Sequence, residues 1–137
     1  MSTAPRYMLD TNIASFILRG HSDTLRARLR ATPLSATCLS SVTEGELLYG
    51  LARKPQASAL REAVASLLKH VPVLPWDSAA AAAYGRLRAA LEAAGTPLGN
   101  LDTLIAAHAL ASGCTLVTND QALRRVPGLP TEDWTLA

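Results

Sequence analysis

Short apolar runs alternate with longer helical patterns along this chain, and no other feature of the sequence restricts its fold as strongly. The apolar runs cover residues 7–9, 35–39, 71–74 and 115–117, and a helical pattern follows each of them. Repeated strand–helix units of this kind are typical of α/β proteins with parallel sheets. A last apolar piece at residues 134–136 predicts an edge strand. We therefore predict an α/β fold with a mostly parallel sheet of four to five strands.

Length and composition restrict the class of protein further. With 137 residues, 49% of them hydrophobic and 18% charged, the chain has the size of one domain and is too apolar for disorder. We find no linker and no repeat, and we predict a single domain over residues 1–137. The longest mostly apolar stretch, residues 104–117, is shorter than the ~20 residues of a membrane span, and no export signal is visible. We expect a cytoplasmic protein without membrane association, in which Cys38 and Cys114 are buried thiols.

The net charge of +2 predicts no partner by itself, so attraction to nucleic acid would have to come from local clusters of cations. Several cations follow helices that begin near the candidate site described below, and they could contact phosphates, although surface solubility explains them nearly as well. Aromatic residues make up only 4% of the chain, and Trp76 and Trp134 predict no stacking platform. The cations are Arg19, Arg53, Lys54, Arg124 and Arg125.

Three acidic residues stand where parallel sheets bind ligands, beyond the carboxyl ends of the strands, and a fourth stands at the start of a later helix. Asp10 follows the first strand, Asp120 follows the fourth, Glu46 lies one turn into the second helical pattern, and Asp102 opens the helix before the fourth strand. Asp10, Asp102 and Asp120 could instead cap a helix or favour its positive end. If the four carboxylates converge, their mutual repulsion favours a hard divalent cation, Mg²⁺ or Mn²⁺. Such a cation can activate water for cleavage of a phosphodiester bond.

The residues near the four acids have different expected roles. Residues 41–44, with Glu44 at the end, fit a capping box, which gives Glu44 a structural role and leaves Glu46 without one. Hydroxyl and amide side chains beside the acids could orient the carboxylates, and ordinary turn chemistry explains them equally well. His108 lies six positions after Asp102, about 240° round a helix, and is expected to be a core or capping histidine. The candidate orienting residues are Thr11, Asn12 and Thr118.

Five motifs in order, spread over nearly the whole chain, resemble those of the PIN-domain endoribonucleases of the VapC type, the toxins of VapBC toxin–antitoxin pairs. They occupy residues 8–13, 46–50, 102–110, 116–120 and 126–129. The resemblance implies a three-layer α/β/α domain in which Asp10, Glu46, Asp102 and Asp120 are catalytic metal ligands, supported by Asn12 and Thr118. It also implies an RNA substrate, often transfer or ribosomal RNA, a homodimer, and a VapB-type antitoxin that covers the active-site groove.

Two other functions fit parts of the pattern. A phosphatase-like enzyme would use the aspartate after the first strand as a nucleophile, but the usual second acid two residues later is replaced here by Asn12. A noncatalytic protein-binding module on the same fold would leave the four carboxylates scattered. The spatial arrangement of the four acids therefore separates this module from the enzymes.

Overall fold

The computed structural model describes residues 5–136, and a sheet of five parallel strands runs through its centre. The strand order is β3-β2-β1-β4-β5, and each neighbouring pair is parallel. The prediction of a mostly parallel sheet with four to five strands is confirmed. The strands are β1 (Tyr7–Leu9), β2 (Thr37–Ser40), β3 (Val73–Leu74), β4 (Thr115–Val117) and β5 (Thr131–Glu132).

Helices cover both faces of the sheet. Successive strand residues point to opposite sides, and here the residues on both sides are apolar and need cover. Leu9, Leu39 and Val117 pack in one core with the first four helices, and Met8, Cys38 and Leu116 pack in a second core with the last three. This is the predicted three-layer α/β/α arrangement. The helices are α1 (Thr11–Arg19), α2 (Asp23–Ala31), α3 (Ser41–Arg53), α4 (Ser58–His70), α5 (Ser78–Ala93), α6 (Asn100–Ser112) and α7 (Gln121–Arg124).

The ends of several helices follow the sequence signals. Gly20 ends α1 and Gly113 ends α6. Their φ angles of 66° and 67° lie in the left-handed region, where residues with a Cβ are disfavoured. The side chain of Asp77 caps α5 by accepting a hydrogen bond from the amide of Ala80. The helix predicted for residues 77–94 is therefore confirmed to within its caps.

The edge strand does not lie at residues 134–136, as predicted, but at Thr131–Glu132. The amide of Thr118 donates to the carbonyl of Glu132, which fixes this polar pair beside β4. Trp134 is fully buried, packs edge-on against Tyr7 with ring centroids 5.2 Å apart, and donates from Nε1 to Glu132. The apolar signal at Trp134 thus reflects burial of its side chain and not strand pairing.

The predicted capping box at the start of α3 is also wrong, by one residue. Ser40 is the N-cap, and its Oγ accepts from the amide of Val42 at 3.1 Å. The hydroxyl of Ser41 is occupied elsewhere, because it accepts a hydrogen bond from the amide of Trp76 at 3.0 Å. Glu44 consequently lies at the fourth helical position, one beyond the position from which a capping box closes.

The cysteines agree with the expectation from the sequence. Cys38 and Cys114 are buried free thiols whose Sγ atoms lie 4.0 Å apart. Between residues 5 and 136, no helix has the length and apolar character needed to cross a membrane.

Candidate metal centre

The four acidic residues of the sequence motifs line one cavity of about 570 Å³. This cavity lies at the carboxyl ends of β1 and β4, where the sheet reverses its strand order and where open α/β sheets bind ligands. Asp10 and Asp120 directly precede α1 and α7, Asp102 lies in the first turn of α6, and Glu46 lies in α3. The structure therefore brings together residues from both helical layers, and the scattered arrangement expected of a noncatalytic module is not observed.

Two of these carboxylates are held by the start of the helix that follows them. Oδ1 of Asp10 accepts from the amide of Ile13 at 2.8 Å, and Oδ1 of Asp120 accepts from the amide of Leu123 at 3.1 Å. Both residues are therefore N-caps, which the sequence considered as an alternative to a functional role. The two roles are compatible, because the cap uses only one of the two oxygens of each carboxylate.

Burial and neighbouring negative charges raise the pKa values of two of the acids in the cavity. Asp10 is only 3% exposed, and its burial raises its pKa from 3.8 to about 6, with smaller contributions from the charges of Asp102 and Asp120. Hydrogen bonds from Thr118 and from the Ile13 amide oppose this shift. Burial also raises the pKa of Asp102, and the charges of Asp120 and Glu46 add to the effect. The cluster is destabilised by its own negative charge, which a bound cation would relieve.

Two of the three candidate orienting residues, Thr11 and Thr118, have hydroxyl groups in contact with the acidic residues. Oγ1 of Thr11 donates to Oε1 of Glu46 at 2.9 Å and lies 3.2 Å from Oγ1 of Thr43. Thr118 contacts Asp10, and its Oγ1 accepts from the amide of Asp120 at 3.0 Å. Asn12 lines the same cavity and is exposed.

The donor set suits a hard cation, because the titratable side chains that line the cavity offer carboxylate oxygens and neither imidazole nor thiolate. Within residues 5–136, however, no three His, Cys, Asp or Glu side chains form a ready-made cage for an ion. One oxygen each of Asp10, Asp120 and Glu46 is occupied by a hydrogen bond. This arrangement fits a cation such as Mg²⁺, which keeps several of its waters in protein sites, so that carboxylates can hold it directly or through a bound water.

Some residues that line the cavity or lie behind its lining were missed in the sequence. Thr43 is fully buried behind Thr11, and Gly99, Asn100 and Leu101 form one wall of the cavity. Gly99 is the N-cap of α6, so a glycine immediately before the helix that carries Asp102 was the available signal. Thr43 had none, because a buried threonine on a helix resembles any other core position.

The prediction for His108 is confirmed. The residue is 2% exposed, and its Nδ1 lies 2.7 Å from Oγ of Ser40, which caps α3. Burial lowers the pKa of His108, while Asp77 and the carbonyl of Pro75 oppose the shift. His108 therefore joins α6 to neighbouring elements and does not line the acidic cavity.

Comparisons with known proteins agree with this arrangement over nearly the full length of the chain. The sequence pattern of the PIN domain matches residues 7–129. The tRNA(fMet)-specific endonuclease VapC of Shigella flexneri is 37% identical over 130 residues, which are 94% of this chain and 98% of the relative. Ribonuclease VapC2 of Rickettsia felis is 34% identical over 130 residues, 93% of this chain and 97% of the relative.

Solved structures are also similar to this chain over nearly its full length. DNA-bound VapBC from Salmonella typhimurium contains a chain that is similar with a TM-score of 0.88 and 35% identity, and the match covers 95% of this chain and 98% of that one. VapBC2 from Rickettsia felis, bound to a DNA fragment from its promoter, matches with a TM-score of 0.83 and 32% identity, over 92% and 96% of the two chains.

Proposed function

The chain belongs to the PIN-domain family, and on this basis we propose that it is a VapC-type endoribonuclease that hydrolyses RNA phosphodiester bonds as the toxin of a type II toxin–antitoxin pair. The observation that carries the proposal is the convergence of Asp10, Glu46, Asp102 and Asp120 in one cavity at the switch point of the sheet. We propose these four as the catalytic and metal-binding residues, and residues 1–137 as one domain.

PIN nucleases generally use a divalent metal, and we propose Mg²⁺ or Mn²⁺ because the ligands available here are carboxylate oxygens. When bound, such a cation lowers the pKa of water and neutralises charge that develops on the phosphate. Asp10, Glu46, Asp102 and Asp120 would hold it. No carboxylate has to serve as a general base in this scheme.

The residues of the chain set up the site before substrate arrives. Thr11 fixes Glu46 by a hydrogen bond, and Thr118 joins the segments that carry Asp10 and Asp120. Burial of Asp10 reduces its contact with water, which strengthens electrostatic interactions in this part of the cavity. We assign Thr11, Asn12 and Thr118 the role of orienting the carboxylates, as residues around metal ligands commonly do.

The relatives also suggest the partners. VapC of Shigella flexneri is named as specific for tRNA(fMet), and the similar solved structures contain VapB together with VapC. We propose that this chain cuts RNA, with transfer RNA or ribosomal RNA as the substrate class, and that a VapB-type antitoxin neutralises it. We also propose that it forms a homodimer and acts in the cytoplasm.

The test is cleavage of total cellular RNA by purified, antitoxin-free protein with Mg²⁺ or Mn²⁺. We expect products with a 5′ phosphate and a 3′ hydroxyl, and we expect activity to disappear with a chelator and in Asp10→Asn. Glu46 and Glu44 lie on the same helix, but only Glu46 lines the acidic cavity. We therefore expect Glu46→Gln to lose activity and Glu44→Gln, its matched control, to keep it. Absence of cleavage by folded, metal-loaded wild type would instead support a noncatalytic binding module.

A further inference from the structure

A second cavity, of about 370 Å³, adjoins the acidic one and shares Thr11 and Glu46 with it. It lies between α1, α3 and α4. Its apolar residues are Leu18, Leu47, Leu60 and Val64, and its cations are Arg19, Arg53 and Lys54. The two cavities therefore form one continuous path in which carboxylates are followed by cations.

Residues on one face of α3 line both cavities. Glu46, Tyr49, Gly50 and Arg53 are three or four residues apart, which places them on the same side of the helix. Arg53 lies about 10 Å along the helix axis from Glu46, given a rise of about 1.5 Å per residue. Both Tyr49 and Arg53 line the second cavity, so α3 connects the acidic residues to this pair.

Tyr49 is the most exposed large hydrophobic side chain among the described residues, at 62%. The guanidinium carbon of Arg53 lies 5.0 Å from the centroid of its ring. The arginine limits the motion of the ring on one side, while a large part of the tyrosine stays open to solvent. An exposed aromatic ring beside a cation is the combination with which proteins bind unpaired nucleotides.

The cations of the second cavity are available to an anionic ligand. Within the described part of the chain, ion pairs occupy Arg26, Arg28, Arg88 and Arg124, whereas no carboxylate lies within 4.0 Å of Arg19, Arg53 or Lys54. The adjoining carboxylates would repel a polyanion, so cations beside them are needed to hold it near the cluster. Arg124, which the sequence grouped with these cations, lies 4.0 Å from Asp133.

We propose that Tyr49 and Arg53 form a binding subsite for a nucleotide that flanks the scissile phosphodiester in a single-stranded segment of RNA. The base stacks on Tyr49, and Arg53 contacts a backbone phosphate, with Arg19 and Lys54 beside it. The segment is single-stranded because a base inside a duplex is stacked and cannot present its face to the ring. This inference rests on the proposed nuclease function and extends it to a part of the surface outside the carboxylate cluster.

The first experiment measures binding of a single-stranded RNA oligonucleotide by fluorescence anisotropy in the Asp10→Asn background with Mg²⁺. Tyr49→Ala is expected to weaken binding on the order of tenfold, and Tyr49→Phe is expected to recover most of that loss. Arg53→Gln should reduce the dependence of log affinity on log salt by about 0.7, the value for one phosphate contact on a single strand. Arg30→Gln is the matched control, because Arg30 is exposed on α2 and lines neither cavity.

The second experiment blocks the path without changing charge. A Cβ at Gly50 or at Gly45 would meet no atom within 4 Å, so a side chain can start at either position of α3 without a clash at its Cβ. Only Gly50 lines the second cavity. In otherwise wild-type protein we expect Gly50→Leu to raise KM for RNA at least several-fold with little change in kcat, and Gly45→Leu to change neither.

The outcomes separate this inference from the function on which it rests. If wild type cuts RNA and the Tyr49, Arg53 and Gly50 variants bind and cut it as wild type does, the subsite is wrong and the nuclease stands. The same conclusion follows if these variants lose only antitoxin binding, because the cavity is then a protein-binding groove. If wild-type protein cuts no RNA, the proposed function fails and the subsite fails with it.

Discussion

Asp10 shows how a single residue can serve the fold and the site at once, with a cost to stability. Its Oδ1 caps α1, which stabilises the helix, yet the carboxylate is almost completely buried beside other acids. A residue selected only for capping would avoid that burial, since Asn caps a helix equally well without a charge. The charge of Asp10 is therefore better explained by a cation than by the fold.

This conflict predicts how the stability of metal-free protein depends on pH. Because the pKa of Asp10 is about 6 in the folded state and 3.8 ordinarily, the folded state binds the proton more tightly. The resulting penalty is complete above pH 6 and disappears as the pH falls towards 4; it corresponds to at most about 3 kcal/mol. Asp10→Asn should thus stabilise metal-free protein at pH 7.5, and this gain should vanish near pH 4.

The measurement is denaturant unfolding of wild type and Asp10→Asn in chelator at pH 7.5, 5.5 and 4. Asp23→Asn is a suitable control, because Asp23 is exposed on α2 and does not line the acidic cavity. A variant that is less stable than wild type at pH 7.5 would contradict the electrostatic explanation.

The hydrogen bond from Thr11 to Glu46 leads to a second prediction. The hydroxyl of Thr11 donates to Glu46, so Thr11→Val keeps the shape of the side chain and removes this support. We expect the Mg²⁺ concentration for half-maximal cleavage to rise about 10- to 100-fold, the usual effect of losing a hydrogen bond to a metal ligand. Thr11→Ser retains the hydroxyl and should restore most of the affinity. An unchanged Mg²⁺ dependence in Thr11→Val would exclude this role.

The sequence predicts individual residues well where position along a strand determines their surroundings. Asp10 and Asp120 were identifiable because they follow strands at the edge where parallel sheets bind ligands. The serine that caps α3 was not, because Ser40 and Ser41 are equivalent in local sequence. A contact from Trp76, which is 35 residues away from Ser41, occupies one of them and leaves the other to cap.

Among the elements, α6 is joined to the start of α3 directly through His108 and indirectly through Trp76, whose amide donates to Ser41. His108 lies 2.7 Å from Ser40, and Nε1 of Trp76 donates to the carbonyl of Leu104 at 3.0 Å. Since α6 carries Asp102 and α3 carries Glu46, these contacts contribute to the relative position of two candidate ligands. The network is structural, and its members line neither cavity at the acidic end.

Removal of the imidazole should therefore destabilise the fold. His108→Leu deletes the hydrogen bond to Ser40 in a buried environment, and we expect a loss of about 1–3 kcal/mol in the free energy of unfolding. His70→Leu, at the exposed end of α4, should change it by less than about 0.5 kcal/mol. Urea unfolding of both variants measures the difference, and equal effects would show that the buried contact contributes little.

Most elements were predictable from the sequence because their signals are local. Apolar runs indicate β1 to β4, and glycine or capping residues mark the ends of α1, α5 and α6. The strand β5 was misplaced because it has two residues, Thr131 and Glu132, and no apolar pattern of its own. Its position depends on hydrogen bonds with β4, which a local pattern does not contain.

At the scale of the whole molecule, the order of the strands creates the site. β1 and β4 are neighbours in the sheet although they lie near opposite ends of the chain, and this brings Asp10 beside Asp120. The alternation of strands and helices in the sequence predicts a parallel sheet but not this order. The resemblance to the PIN family supplied the grouping of the four acids, which local patterns could only suggest.

The distribution of the carboxylates predicts how a cation affects the stability of the whole domain. Glu46 and Asp10 belong to the layer of α1 to α4, and Asp102 and Asp120 to the layer of α5 to α7, so an ion held by all four connects both layers. Unfolding of either layer would then release the ion. We expect Mg²⁺ to shift one cooperative transition upwards, with about 2.7 kcal/mol of stabilisation at 100 times the dissociation constant.

Thermal unfolding at increasing Mg²⁺ concentration, followed by addition of chelator, measures this linkage. In Asp102→Asn the dependence on Mg²⁺ should be much weaker, because one ligand of the far layer is reduced to a neutral amide. In Asp23→Asn it should equal that of wild type, since the exposed Asp23 lies outside the cavity. Equal shifts in wild type and Asp102→Asn would mean that Asp102 does not hold the ion, and the four-carboxylate centre would have to be abandoned.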